Sequence, residues 1–175
     1  MEGLRLEIDP GLEFPGVLAP TIHQLTSNFW LIDVHSGPFR TTDKPNFFEL
    51  EAEIERYRVT VAQLEDTSSA LWRPEIFPRF ESLFWLDEWT YLIALKGPEM
   101  RVIRTAGRFF EARILSARFF DLVESEAAAF FLYVGGSWEV YSTDQHLLDE
   151  LRKQKRVSAI QSGKWLSEKF GQTSP

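Results

Sequence analysis

Apolar side chains recur between residues 43 and 66 at Phe47, Leu50, Ile54, Tyr57, Val61 and Leu64, at alternating spacings of three and four. Six positions so spaced fall on one helical stripe. Asp43, Pro45 and an acidic first turn stand in the order expected at a helix start. The spacing therefore predicts a helix over 43–66. The same stretch also alternates, at Phe48, Leu50, Ala52 and Ile54 and again at Tyr57, Val59 and Val61, with a parity slip at Glu55-Arg56. Two paired strands, or one bulged strand, are the alternative.

Elsewhere the period is shorter. Leu4, Leu6 and Ile8 alternate with polar residues before Asp9-Pro10-Gly11, an edge strand closed by a turn. The rest of 1–28 is partly irregular, broken by Pro15, Gly16 and Pro20. Residues 29–34 read as a strand stopped by Ser36-Gly37-Pro38. Thr67-Ser68-Ser69, Pro74 and Pro78 make the next stretch loop-like, and Phe80, Leu83, Phe84 and Trp85 suit a short amphipathic helix.

Residues 90–95 form a strand, Lys96 to Glu99 a turn, and Met100 to Arg104 the returning hairpin partner. In that arrangement Arg101 and Arg104 differ in parity and face opposite sides. Ser116 to Glu126 reads as a helix, 129–134 as a buried strand, and Gly135-Gly136 as a tight turn into a strand at 137–141. Thr143 then caps a helix running to about Lys155, buried along Leu147, Leu148 and Leu151, with a last short helix near 164–170 and a frayed tail at 171–175. These elements make one α+β domain spanning 1–175. Its antiparallel sheet is built from the 90–104 and 129–141 hairpins, with helices packed mainly on one face.

Charge is uneven along the chain. Of a net charge of −7, residues 1–95 carry 16 acids against 7 bases, while 96–118 hold six bases against Glu99 and Glu111. An acidic chain does not concentrate phosphate polyanions, which argues against nucleic acid as a partner. No apolar run reaches the 18–20 or so residues a membrane span needs, and the N-terminal residues lack the pattern of a secretory signal. With no cysteine there is no disulfide or thiolate chemistry, and a cytoplasmic setting is expected.

Candidate chemistry is sparse. The chain has no phosphate-binding glycine loop, no nucleophile elbow and no HExxH zinc pair, and no cofactor is expected. Asp33-x-His35 puts a carboxylate and an imidazole on one strand face, and His23 stands in the loop before it, a three-residue set for a metal-dependent enzyme.

Fourteen per cent of residues are aromatic, among them the pairs Phe47-Phe48, Phe109-Phe110, Phe119-Phe120 and Phe130-Phe131. Adjacent aromatics on a strand point to opposite faces, so each pair needs two covered sides or leaves one open to a partner.

Together these features point to a non-catalytic, acidic protein-binding domain of the inhibitor or immunity type. Its expected partner is another protein with a basic surface. The expected surface is the Glu49, Glu51, Glu53, Glu55 row, with Trp72, Trp85, Asp87, Glu88 and Trp89. The alternative is a small-molecule binding or sensory domain whose Arg101, Arg104, Arg108 and Arg113 hold an anionic ligand.

Overall fold

A computed structural model describes residues 2–7, 29–36, 55–64, 67–79, 89–134, 137–153 and 157–160. The expected turn at 9–11, the helix near 80–85 and the last helix near 164–170 lie outside them.

Among the described residues eight strands form one antiparallel sheet: β1 (Glu2–Glu7), β2 (Phe29–Ser36), β3 (Arg58–Leu64), β4 (Thr67–Trp72), β5 (Trp89–Lys96), β6 (Ala129–Val134), β7 (Ser137–Ser142) and β8 (Val157–Ile160). Their order across the sheet is β3-β4-β2-β5-β6-β7-β1-β8. Among the described residues, three α-helices, α1 (Glu99–Glu111), α2 (Ala117–Glu126) and α3 (Gln145–Arg152), a 3-10 segment at Pro74–Arg79 and a helical turn at 55–57 stand beside this sheet in an α+β architecture.

Five expectations are corrected. Only residues 55–57 of the expected 43–66 helix are helical among the described ones, and Arg58–Leu64 is β3. The β-branched run Val59-Thr60-Val61 favours the pleated surface, and pairing with β4, bulged between Arg58 and Thr60, overrides the helical spacing. Thr67 to Ser69 is not a loop but the start of β4, whose small polar residues are held between β3 and β2.

Residues 100–104 are not a returning strand, and the 90–104 hairpin does not form. Val102, Thr105, Ala106 and Phe109 bury one stripe of α1, and β5 pairs instead with β2 and β6. β1, finally, is not an edge strand: it lies between β7 and β8. The C-terminal helix also begins one residue later than expected, because Asp144 rather than Thr143 accepts from the Leu147 N–H at 3.3 Å.

Both faces of the central strands are buried. Register places Trp30, Ile32, Val34, Leu71, Tyr91, Ile93, Leu95, Phe130, Leu132 and Tyr141 on one side, where they share a core with Val102, Ala106 and Phe109 of α1 and Phe119, Phe120, Leu122 and Val123 of α2. Phe119 sits edge-on to Phe109, Phe120 and Phe130, at ring separations of 5.8, 5.5 and 6.0 Å, the T-shaped geometry that aromatic quadrupoles favour. The other side buries Phe29, Leu31, Ala70, Trp72, Leu92, Ala94, Ala129, Phe131 and Val140. Phe130 and Phe131 thus fill one core each.

Two glycines carry opposite messages. Gly3 faces Tyr141 across the β1–β7 ladder, and a Cβ there would lie 2.5 Å from the tyrosine ring, so only a residue without a side chain lets the ring cross the strand. Gly107 sits inside α1, where glycine costs about 1 kcal/mol relative to alanine, yet a Cβ there would meet nothing within 4 Å among the described residues.

Candidate functional site

The arginines of residues 101–118 are arranged by α1 and by the Ser116-capped start of α2, whose hydroxyl accepts from the Phe119 N–H at 3.2 Å. On a helix, Arg101, Arg104 and Arg108 follow at three and four residues and share one exposed flank, so the opposite parity expected of a strand does not apply. Glu126, in the last turn of α2, reaches this flank. Arg108 donates to its carboxylate at 2.6 Å and Arg101 approaches at 3.8 Å. A carboxylate at a helix C-terminus opposes the macrodipole, and the two guanidinium groups offset that. Arg118 pairs with Glu111 at 3.7 Å. Arg104 bonds the Met100 carbonyl at 3.3 Å, and Arg113 is exposed after the end of α1. Of the four arginines proposed for an anionic ligand, two are therefore already engaged by one carboxylate of the same chain.

The next bases are matched in the same way. Lys96 donates to Asp144 at 2.7 Å and lies 4.4 Å over the Phe29 ring. The hydrogen bond from Lys96 holds the Asp144 carboxyl below the usual carboxylate range, against a smaller opposing effect of burial. Arg73 bonds Glu99 at 2.9 Å and stacks 5.6 Å over Trp30.

Of the expected acidic surface, Glu55 is described: it is exposed and pairs with Arg58. Glu49, Glu51, Glu53, Trp85, Asp87 and Glu88 lie outside the described residues, and Trp89 opens β5 opposite Val134. Trp72 is withdrawn from that surface. It is 2% exposed, because its strand is interior and its register partner Leu31 belongs to a buried face.

The sequence pattern puts Asp33 near a strand end beside water. It lies instead in the body of β2 between Ala70 and Leu92 and is 0% exposed. His35 follows two residues on, its backbone opposite Ser68 and Thr90, and His23 is outside the described residues. Among the described residues no three metal-ligating side chains come together.

Sequence reasoning does not single out a second buried carboxylate, Glu139 on β7. The Tyr141 hydroxyl donates to it at 2.8 Å, and burial, reinforced by this carboxylate, pushes the tyrosine hydroxyl far above its ordinary range. The alternation Trp138-Glu139-Val140-Tyr141, an acid two residues before a tyrosine within an apolar strand, is the signal that could have found it.

Comparison with family models, curated proteins and solved structures finds no match for this chain. Among the described residues no helix is long and apolar enough to cross a membrane.

Proposed function

We propose that this protein is a non-catalytic binding domain that docks through an acidic surface onto a basic protein partner, in the manner of an inhibitor or immunity protein. One observation carries the reading: three of the four bases of α1 and α2 face carboxylates of the same chain, Arg108 and Arg101 sharing Glu126 and Arg118 standing 3.7 Å from Glu111. The acidic excess lies in residues 1–95, whose 16 acids and 7 bases leave a balance of −9, and Glu55 there is exposed. A surface of this sign speeds encounter with a basic partner and makes the association rate fall with salt. A cysteine-free chain suits action in a reducing, cytoplasmic setting.

The test is affinity purification of the full chain from its native cell, followed by association kinetics with the recovered stoichiometric partner. A basic partner is expected, bound more slowly as salt rises, with Glu51→Lys and Glu55→Lys slowing association roughly tenfold at low salt. A salt-insensitive rate that both reversals leave unchanged would refute the acidic surface.

A further inference from the structure

The outward flank of α1 carries an apolar strip. Met100 is 68% exposed, the largest exposure of any big apolar side chain among the described residues. Ile103 and Phe110, three and ten residues on, are half-buried, each touching the core with part of its surface and leaving the rest to solvent. Gly107 stands between them, with open space where its Cβ would be. Met100, Ile103, Gly107 and Phe110 follow the three-and-four spacing of one continuous strip. Nothing among the described residues requires the glycine. Its consequence is external: a bare helix backbone at the centre of an apolar strip lets a second helix approach closely.

The charges beside the strip say which helix fits. Arg104 precedes Gly107 by three residues and Glu111 follows it by four, and both are exposed. Each is weakly engaged within its own chain, Arg104 by the Met100 carbonyl at 3.3 Å and Glu111 by Arg118 at 3.7 Å. A flank meant for an acidic foreign helix would carry one sign throughout. This one is complementary to its own reverse. In a two-fold arrangement with antiparallel helices, a residue before the crossing point meets one about the same distance beyond it in the other copy. A parallel arrangement would instead set Arg104 against Arg104.

We propose that α1 is a self-association face: two copies pack α1 against α1, antiparallel and crossing at Gly107, with Arg104 of one copy beside Glu111 of the partner subunit. The contact is a single helix pair flanked by charges, so the dimer is concentration-dependent rather than obligate.

Sedimentation analysis of the full chain over a wide concentration range tests this. The mass is expected to rise from 20.3 kDa toward twice that value as concentration increases. Gly107→Leu is expected to raise the dissociation constant at least roughly tenfold while the melting temperature holds or rises, since the new side chain enters open space on a helix it favours. Arg104→Glu and Glu111→Arg should each weaken the dimer, and the two combined should restore it. A monomer at every concentration would overturn the proposal, as would a dimer indifferent to Gly107→Leu or a double variant no tighter than either single one.

Discussion

On the α1–α2 side of the sheet, the interior is a lattice of rings and branched aliphatics in which Phe119 touches Phe109, Phe120 and Phe130 edge-on and Tyr91 stacks on Phe130 at 6.4 Å. On the opposite side Phe29, Leu31, Leu92 and Phe131 share the buried face with small residues, Ala70, Ala94 and Ala129, and with two polar ones, Asp33 and Ser142. Ser142 is absorbed by the backbone. It donates to the Ala128 carbonyl at 2.6 Å and accepts from the Asp144 N–H at 2.9 Å, locking the exit of β7 into α3. Asp33 stands instead in the middle of a central strand, away from any turn or helix cap. A buried carboxylate is retained at a stability cost unless its partners satisfy it, whereas an apolar lattice needs no partners beyond contact. Each face packs around one buried carboxylate: Asp33 on this side, and on the α1–α2 side Glu139, which stands opposite Leu132 and accepts from the Tyr141 hydroxyl.

Truncating one ring on each side tests whether both faces are equally well packed. Phe130→Ala and Phe131→Ala are each expected to lower the unfolding free energy by about 3–5 kcal/mol in urea titrations, since both rings are fully buried. A loss under about 1 kcal/mol at either would show that its face is loosely filled. Asp33→Ala comes next, with an expected loss of about 1–3 kcal/mol by the same measurement, because it leaves a void where a fully buried side chain stands between β4 and β5. An unchanged or higher stability would mean that the second face holds by packing alone.

The smallest effect is confined to alkaline pH. In the native state the Tyr141 hydroxyl stays protonated well above its ordinary value of 10.0, whereas in the unfolded chain it ionises near that value. Its contribution is complete below about pH 10 and is lost as the pH rises further. Tyr141→Phe is expected to flatten this decline in unfolding measurements above about pH 10. Tyr91, also raised by burial, keeps part of it.

Much of the architecture can be read from local pattern, and the failures share a cause. The 129–134 and 137–141 strands, the Ser116 helix and, one residue off at its start, α3 are legible because period and capping residues agree there. At Met100 to Arg104 they do not. Five residues ending in Val102-Ile103-Arg104 look like a strand, and only with Ala106 and Phe109 does the helical stripe emerge. β4 is hidden because Thr67, Ser68 and Ser69 have no apolar signal of their own, and β3 and β2 supply what holds them. β1 alternates like an edge strand, but only long-range pairing decides which strands flank it.

The same limit applies to the candidate sites. Arg108 and Glu126 are 18 residues apart, and the turn that joins their helices, with Leu115 at φ 60°, has no sequence signature. The glutamates of 49–53 are distinguished by composition alone. The burial of Trp72 follows only once β4 is known to be interior.

The position of β1 has a consequence for how the molecule is made. It pairs with β7 on one side and β8 on the other, so among the described strands β8 is joined to the sheet through β1 alone. Yet β1 precedes β7 by roughly 130 residues in the chain. At roughly 5–20 residues per second on the ribosome, that is a wait on the order of ten seconds between synthesis of β1 and appearance of its first partner. During that interval its unpaired edges must be kept from other chains.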